Sequence, residues 1–246
     1  MRSVHDPGRP TENLGPGTLF LVPTPIGNLE DITLRAIRIL READWVVAED
    51  TRRAQVLFQA HDIRRPVRSH HAHNEHRETP ALIRRLLAGE SGALITDAGA
   101  PGISDPGFLL AREARARAVP VQVLPGPSAV VTAVVASGFP PVPFVFEGYL
   151  PPTAGRRLRW LQKVREEPRT VVGFETPHRI ERCLEQAVEV LGERPIALLR
   201  EMTKLHEQVL RGTAAELLGS LSRPPRGEIT LVFAPLGRSN PREPAA

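Results

Sequence analysis

The sequence predicts an α/β protein with two domains. Short apolar runs of strand length alternate with longer segments whose apolar residues recur at helical spacing, which is typical of a parallel sheet covered by helices. The 246 residues are 41% hydrophobic and 24% charged, as expected for a globular chain. The proline-rich stretch SGFPPVP (137–143) interrupts the alternation and predicts a domain boundary, with domains at 17–138 and 139–236.

The N-terminal domain is predicted to alternate strands and helices from residue 17 onward. Its strands are GTLFLVP (17–23), WVVAED (45–50), GALITD (92–97) and VQVLP (121–125). Its helices are DITLRAIRILREAD (31–44), with Asp31 as the N-cap, TRRAQVLFQAH (51–61), NEHRETPALIRRLLAG (74–89), FLLAREARARA (108–118) and PSAVVTAVVASG (127–138).

The C-terminal domain is predicted to be a second α/β unit. Its strands are FVFEGY (144–149), TVVGFE (170–175), PIALLR (195–200) and EITLVFAP (228–235). Its helices cover residues 155–167, 178–192 and 214–221. Residues 1–16 and 237–246, which lack apolar periodicity, are expected to be flexible tails.

The charge and the cysteine content favour some classes of protein over others. The single cysteine, Cys183, cannot form an internal disulfide, and no signal peptide or membrane-spanning run is evident, so a cytoplasmic location is expected. The net charge of +4 favours a polyanionic partner. Only Lys163 and Lys204 are lysines among the 32 basic residues, which fits either phosphate recognition by arginine or codon bias.

Ligands of open parallel sheets bind beyond the carboxyl ends of the strands, so the loops there are the candidate site. These loops are PTPIGN (23–28), EDTRR (49–53), DAGAPGISDPG (97–107) and PGPSA (125–129). The glycine-rich loop 97–107 is predicted to hold a ligand, with a merely rigid connection as the alternative. It contains neither GxxxxGK[ST] nor GxGxxG, which disfavours a nucleotide triphosphatase or a Rossmann dehydrogenase.

Seven motifs carry a resemblance to a known family. They are VPTPIGNLEDIT (22–33), AEDTR (48–52), HNE (73–75), TDAGAPGISDPG (96–107), LPGPSA (124–129), ETPHR (175–179) and REMTK (200–204). With them the chain resembles the tetrapyrrole methylase superfamily, in particular the ribosomal RNA small-subunit methyltransferase I family. Thr96, Ala100, Thr176 and Met202 depart from the family pattern without removing a charged group.

The resemblance implies a two-domain class III methyltransferase fold with the cofactor in a cleft between the domains. It also implies a homodimer without a metal that uses S-adenosyl-L-methionine to methylate the ribose 2′-hydroxyl of a decoding-region cytidine in 16S rRNA, on an assembled small ribosomal subunit. The cofactor-binding residues implied are Pro25, Gly27, Asp97, Ala98, Gly99, Ala100, Ile103, Ser104, Asp105, Ser128, Ala129, Phe174, Thr203 and Thr230.

A ribose hydroxyl is a poor nucleophile, so a base or hydrogen-bond acceptor is expected to help remove its proton. The candidates are Glu49, Asp50, Glu75, Glu175, Glu201, Lys204 and Glu207. The residues expected to bind the substrate are Asn28, Arg52, His73, Asn74, Arg156, Arg157, His178 and Arg179.

Several features allow a second interpretation. The cluster His70, His71, His73 and His76 suggests a metal site, but the resemblance places His73 in the substrate cleft, and His70 and His71 fit solvated side chains equally well. The basic helix around Trp160 fits either RNA contact or an ordinary amphipathic helix, and Lys204 fits either a tunable ammonium or an ion pair with Glu201 or Glu207. The alternative functions are methylation of a tetrapyrrole or other small molecule, and a non-catalytic role in ribosome assembly.

Overall fold

The computed structural model describes residues 17–221 and 226–237. The predicted tails at 1–16 and 237–246 lie outside these ranges, apart from Gly237. The chain divides into two compact units between Pro127 and Ser128. None of the helices in the described ranges combines the length and the apolar character needed to cross a membrane.

The first unit is built on a parallel sheet of five strands. These are β1 (Leu19–Leu21), β2 (Trp45–Ala48), β3 (Val67–Ser69), β4 (Gly92–Ile95) and β5 (Val121–Val123), in the order β3-β2-β4-β1-β5. Every pairing between neighbours is parallel. The carboxyl ends of all five strands therefore lie along one edge of the sheet, together with the loops that follow them.

Four helices accompany this sheet, and an apolar core lies on each of its faces. The helices are α1 (Leu34–Glu42), α2 (Thr51–Ala60), α3 (Glu75–Leu87) and α4 (Phe108–Ala116). One core combines β1 residue Phe20 with side chains of α1 and α2, and the other combines Leu19 and Leu21 with side chains of α3 and α4. This division follows from the alternation of side chains along a strand.

Two details of the first unit differ from the sequence prediction. Strand β3 was not predicted, because its three residues at the sheet edge, VRS, carry no run of apolar side chains. Val67 is half-buried and the other two are exposed. Asp31 does not cap α1. It ends a short 3₁₀ helix, Leu29–Asp31, and the hydroxyl of Thr33 accepts the capping hydrogen bond from the Ala36 N–H instead.

The second unit contains a mixed sheet. Its strands are β6 (Phe144–Tyr149), β7 (Thr170–Glu175), β8 (Ile196–Arg200), β9 (Gln208–Gly212) and β10 (Ile229–Phe233), in the order β6-β7-β10-β8-β9. Only β6 and β7 are parallel, and the other pairings are antiparallel. Strand β9 was missed by the sequence prediction, although its alternation of half-buried and exposed side chains is the period-two signal of a strand.

The helices of the second unit are α5 (Ala129–Ser137), α6 (Ala154–Glu166), α7 (Ile180–Leu191) and α8 (Ala214–Ser220). Side chains of α6, α7 and α8 share one core with the sheet. The guanidinium of Arg194 ties the end of α6 to this core. It donates to the carbonyls of Val164, Arg165 (3.0 Å), Glu167 (3.0 Å) and Ala234 (2.6 Å).

Helix α5 belongs to the second unit, whereas the sequence analysis placed the boundary after it. The helix packs against β7, β8, β9 and β10. Its last turn is fixed by Arg211, which donates to the carbonyl of Ala136 at 2.7 Å. Gly138 ends the helix with a φ of +70°, and a Cβ there would lie 2.9 Å from the Arg211 guanidinium. The proline cluster thus follows the first helix of the second unit.

Candidate active site

The loops after β1 and β4 are joined to each other at the carboxyl edge of the first sheet. Thr24 and Gly99 exchange two backbone hydrogen bonds of 3.0 and 2.9 Å. The Thr24 hydroxyl also donates to the carbonyl of Thr96 at 2.9 Å. The backbone groups of Gly99 are therefore used within the protein, and this residue shapes the glycine-rich loop.

The glycine-rich loop, 97–107, turns repeatedly through left-handed backbone conformations. Gly99, Gly102 and Gly107 have φ angles of +75°, +84° and +124°, and Ser104 adopts +64°. At Gly107 an added Cβ would lie 2.9 Å from Leu94 Cδ2. Non-glycine residues rarely adopt positive φ, and such strain is concentrated at functional sites. These backbone conformations, which favour glycine, fix the course of the loop at the carboxyl edge of the sheet.

The other predicted cofactor residues of the first unit lie in these two loops. Pro25 is buried, Gly27, Ile103 and Ser104 are exposed, and Ala98, Ala100 and Asp105 are half-buried. Asn28 is occupied locally, because its side-chain oxygen accepts from the Glu30 N–H at 3.1 Å. Ser128 and Ala129 fall in the second unit, where the Ser128 hydroxyl caps α5 by accepting from the Val131 N–H at 3.4 Å.

Asp50, at the carboxyl end of β2, is fully engaged. Its carboxylate caps α2 by accepting from the Arg52 N–H at 2.8 Å, and it also binds the Arg52 guanidinium at 3.1 and 2.7 Å. The hydrogen bonds from Arg52 lower the pKa of Asp50 to about 2. Such a weak base is a poor proton acceptor, so the predicted catalytic role of Asp50 does not fit the structure.

Two further carboxylates lie at the same edge. Asp97, after β4, accepts from the Asp50 N–H at 3.0 Å and lies 3.4 Å from Nε of Arg53. Glu49, directly after β2, is partly buried. Burial and the nearby charge of Asp97 raise the pKa of Glu49, although Arg53 and His71 act in the opposite direction. Glu49 therefore holds a proton more readily than an ordinary glutamate.

The histidine motif lies beside this edge because it follows β3, the neighbour of β2. His70 is only 2% exposed, with its Nε2 3.5 Å from the Thr79 hydroxyl, and burial lowers its pKa. Nδ1 of His70 and Nδ1 of His71 are both buried without a hydrogen-bond partner. The expectation that these histidines are solvated is therefore wrong for His70, whereas the His71 side chain is half-buried.

The rest of the motif fixes a tight turn before α3. Asn74 accepts from the His71 N–H at 2.8 Å, and its side-chain NH₂ donates to the carbonyl of Ser69 at 3.1 Å. Glu75 is the first residue of α3, and the ring of His73 packs edge-on against that of His71 at 5.8 Å. In the described part of the chain, no three histidine, cysteine, aspartate or glutamate side chains are grouped to hold a metal.

In the second unit, the ETPHR motif contains a buried ion pair. The side chain of Glu175 has no exposed surface, and its Oε1 lies 2.5 Å from Nη2 of Arg179. Oε1 also accepts from the Thr176 N–H at 2.8 Å, while Oε2 is buried without a partner. This burial and the pairing with Arg179 do not fit the predicted role of Glu175 in accepting a proton from a substrate hydroxyl. His178, between them, is exposed.

Two of the predicted adenosine contacts are neighbours on the second sheet. Phe174 of β7 lies opposite Thr230 of β10 in the strand register. The Phe174 ring packs edge-on against Phe146 and Tyr149, with ring centroids 5.0 and 5.5 Å away. Thr230 is buried. The aromatic cluster holds Phe174 in place, half-exposed, at the end of β7.

The REMTK motif is a strained turn in which the charged groups pair with one another. Glu201 and Thr203 adopt φ angles of +53° and +64°. The ammonium of Lys204 lies 2.9 Å from Glu201 and 3.0 Å from Glu228, and the Thr203 N–H donates to Glu207 at 2.8 Å. Of the two partners that the sequence analysis offered, Lys204 therefore pairs with Glu201.

These ion pairs change the acidity of both partners in the turn. Burial acts to lower the pKa of Lys204, but the hydrogen bonds to Glu201 and Glu228 outweigh it, and its pKa lies above the ordinary value. Burial acts to raise the pKa of Glu201, but Lys204 and the Glu228 N–H outweigh it and lower that pKa. Both groups stay charged, which disfavours the predicted role of either in proton transfer.

Helix α6 presents only part of the predicted RNA-binding set. Arg156 is exposed, but Arg157 is 3% exposed and its Nε donates to Gln186 at 2.7 Å, so it cannot contact RNA phosphate. The Trp160 ring packs edge-on against Phe233 at 5.5 Å, and its Nε1 donates to Glu147 at 3.3 Å. The aromatic residue thus anchors the helix and is not free to stack on a base.

Comparison with known proteins identifies the family. The model of the tetrapyrrole (corrin/porphyrin) methylases matches residues 18–218. A protein of Thermotoga maritima called ribosomal RNA small subunit methyltransferase I is 43% identical over 219 residues, covering 89% of this chain and 98% of the relative. The chain belongs to the tetrapyrrole methylases, in the ribosomal RNA small subunit methyltransferase I family. It is therefore a methyltransferase.

One further relative and two solved structures are also similar to this chain. The Pseudomonas aeruginosa protein of the same name is 47% identical over 222 residues, covering 89% of this chain and 79% of the relative. Among solved structures, uroporphyrin-III-C-methyltransferase of Thermus thermophilus has a TM-score of 0.60 at 24% identity, covering 88% of this chain and 94% of that structure. Diphthine synthase has a TM-score of 0.67 at 14% identity, covering 88% and 90%. The predicted fold class is confirmed.

Tetrapyrrole methylases use S-adenosylmethionine, which confirms the predicted cofactor. This cofactor supplies a methyl group on a positively charged sulfur and also carries an ammonium group. The residues present fit such a ligand. The carboxylate of Asp97 lies at the edge of the first sheet, and the glycine-rich loop that it begins is free of bulky side chains from Ala98 to Ala100.

Proposed function

We propose that this methyltransferase transfers the methyl group of S-adenosylmethionine to the ribose 2′-hydroxyl of a cytidine in 16S ribosomal RNA. The observation that carries the proposal is the common name of the relatives, ribosomal RNA small subunit methyltransferase I, at 43 to 47% identity over 89% of this chain. The family resemblance points to a cytidine of the decoding region.

The charge distribution supports an RNA substrate over a tetrapyrrole. Arg52 and Arg53 at the start of α2 lie at the carboxyl edge of the first sheet. Arg52 pairs with Asp50 and Arg53 lies near Asp97, but their side chains remain 90% and 60% exposed. Exposed guanidinium groups bind phosphate through paired hydrogen bonds and increase affinity through counterion release. A chain of phosphodiesters offers such contacts at regular intervals, whereas a macrocycle offers carboxylates only at its rim.

We assign cofactor binding and RNA binding to different groups of residues. The glycine-rich loop and Asp97 bind and orient the cofactor, and the closing contacts come from Phe174, Thr203 and Thr230. Arg52, Arg156, Arg179, His73 and His178 bind the RNA and align the acceptor oxygen. Alignment is the main requirement, because the donor carries its own leaving group, and good alignment removes much of the entropic cost of the reaction.

We also propose that the enzyme is a cytoplasmic homodimer that acts on the assembled small ribosomal subunit. The dimer follows from the family resemblance, and the cytoplasmic location follows from an RNA that is assembled into ribosomes there. Exposed apolar side chains on α5, with Val131 56% and Val135 71% exposed, offer a surface that such an assembly could cover.

Mapping of ribose methylation tests the proposed function. Small subunits from cells that lack the protein should carry one unmethylated cytidine ribose, which the purified protein and S-adenosylmethionine restore in vitro. Restoration on assembled subunits, with naked 16S rRNA inert, would define the substrate further. Unchanged rRNA methylation together with methylation of a tetrapyrrole would contradict the proposal, and so would a protein that binds subunits without binding the cofactor.

A further inference from the structure

The carboxyl edge of the first sheet holds three carboxylates, and two of them are occupied. Asp50 accepts from the Arg52 N–H and its guanidinium, and Asp97 accepts from the Asp50 N–H and lies close to Arg53. Glu49 takes part in no hydrogen bond or ion pair among the residues at 17–221 and 226–237. It is therefore the carboxylate at this edge with both oxygens available to a substrate.

The strand order brings His71 next to Glu49. Ala48 of β2 pairs with Ser69 of β3, and the His70 N–H donates to the Ala48 carbonyl at 2.7 Å, so His71 continues alongside the residues that follow β2. The turn closed by Asn74 fixes the His71 backbone. Nδ1 of His71 is buried without a hydrogen-bond partner among the described residues.

We propose that the Glu49 carboxylate, on the strand end beside His71, is the general base that accepts the proton of the hydroxyl group being methylated. The inference rests on the proposed function and deepens it. The hydroxyl oxygen forms a bond to the methyl carbon as the carbon–sulfur bond breaks. The electron pair of the carbon–sulfur bond stays on sulfur. The hydroxyl proton passes to Glu49 and from there to solvent, so charge and atoms balance.

The charges around Glu49 suit this task. Asp97 after β4 and Asp50 before α2 repel a negative charge on Glu49, whereas Arg53 on α2 and His71 after β3 attract it. Together with burial, the result is a pKa above that of an ordinary glutamate. A base is more effective the closer its pKa lies to the working pH, provided that it remains deprotonated there.

The test compares Glu49→Gln with the wild-type enzyme in single-turnover methyl transfer to small subunits at saturating concentrations. We expect the rate to fall on the order of 10²- to 10⁴-fold, with unchanged affinities for the cofactor and RNA. The wild-type rate should rise with pH as Glu49 deprotonates, and this rise should be absent in Glu49→Gln. Glu42→Gln, which removes a carboxylate paired with Arg38 on the far helix α1, is the matched control.

A measurement without activity provides the second arm. In protein labelled with ¹³C at the glutamate carboxyl carbons, the signal lost in Glu49→Gln should titrate above the ordinary glutamate range. Asp97→Asn should lower that midpoint, because it removes a repelling charge. A Glu49 signal that titrates normally would overturn the proposal.

Other outcomes separate this inference from the proposed function. A wild-type enzyme that methylates no rRNA contradicts the function itself. Wild-type activity with Glu49→Gln equally fast overturns only the role of Glu49. The role of Glu49 is also overturned if Glu75→Gln, at the start of α3, abolishes methyl transfer while Glu49→Gln does not. It is likewise overturned if Glu49→Gln lowers stability and cofactor affinity together with the rate.

Discussion

The charged motifs of the two units differ in the partners of their side chains. In the first unit, Glu49 at the carboxyl edge of a parallel sheet takes part in no hydrogen bond or ion pair among the described residues, and Nδ1 of the neighbouring His71 is buried without a partner. In the second unit, the charges of the ETPHR and REMTK motifs neutralise each other, as in the pairs Glu175–Arg179 and Lys204–Glu201. A group that is already paired has little capacity to exchange a proton. With the proposed role of Glu49, the comparison assigns proton transfer to the first unit and binding and rigidity to the second.

The largest expected effect separates Glu175 from Glu49. Glu175→Gln removes the charge that Arg179 faces, and loss of one partner from a buried ion pair costs about 3 to 5 kcal/mol. Because the Arg179 side chain is 25% exposed, we expect a value near the lower end, measured by urea unfolding. RNA affinity should fall as well, since Arg179 loses its fixed position.

The rate of methyl transfer at saturating RNA should stay within a few-fold of wild type in Glu175→Gln. Glu185→Gln, on the exposed side of α7, serves as the control and should change neither stability nor affinity. A large loss of rate in a stable Glu175→Gln protein would contradict the assignment of proton transfer to the first unit, because the reaction would then also involve the second unit.

A smaller effect distinguishes two adjacent arginines of α6. Arg157→Gln should destabilise the protein by about 2 kcal/mol, because it removes a buried charged hydrogen bond to Gln186. Arg156→Gln should leave the stability within about 0.5 kcal/mol and reduce the salt dependence of RNA binding by about one phosphate contact. Unfolding curves and binding at several salt concentrations measure both. Equal effects of the two substitutions would contradict the assignment.

The smallest expected effect concerns pH and the Lys204–Glu201 pair. The lowered pKa of Glu201 stabilises the fold above its ordinary value of 4.5, and this contribution is lost as the pH falls through the lowered value. The raised pKa of Lys204 stabilises the fold below its ordinary value of 10.5 and is lost as the pH rises through the raised value. Lys204→Ala should therefore cost below about 1 kcal/mol, constant between these limits.

Denaturant titrations across this pH range measure the difference between Lys204→Ala and wild type. A stability difference that shrinks in acid and in strong alkali would support a structural ion pair. If Lys204→Ala instead leaves the stability unchanged and slows methyl transfer at saturating substrate, the ammonium takes part in the reaction, and the distinction between the two units fails.

The sequence predicted the fold well where local pattern and tertiary packing agree. Strands β1, β2 and β4 are short apolar runs buried on both faces, and such runs can be predicted from the sequence. Strand β3 could not be predicted in this way, because an edge strand needs no apolar run. The position of α5 was missed for a different reason. A helix that is apolar on all sides, AVVTAVVAS, gives no indication of which sheet it covers.

The candidate site was predictable as a set of loops but not as a set of roles. Asp97 directly follows the end of β4, as the predicted strand at 92–97 implied, and Asn74 precedes α3, the helix predicted to begin at that residue. The role of each motif residue depends on its hydrogen-bond and ion-pair partners, some of which are distant in sequence. Asp50 and Glu49 are adjacent and chemically alike, yet Asp50 is hydrogen-bonded to Arg52 while Glu49 has no such partner. In Glu175 the decisive property is burial, which no single-residue pattern encodes.

The strand orders have a consequence for synthesis of the chain on a ribosome. Strand β1 emerges first but pairs with β4 and β5, so the first sheet cannot close until residues beyond Val123 are free. In the second sheet, β10 is the last of the described strands and lies between β7 and β8. Until β10 emerges, β7 and β8 each expose an unpaired strand edge, and such edges promote aggregation. Translational pausing before β10 should therefore make the nascent protein depend on chaperones more than pausing after it.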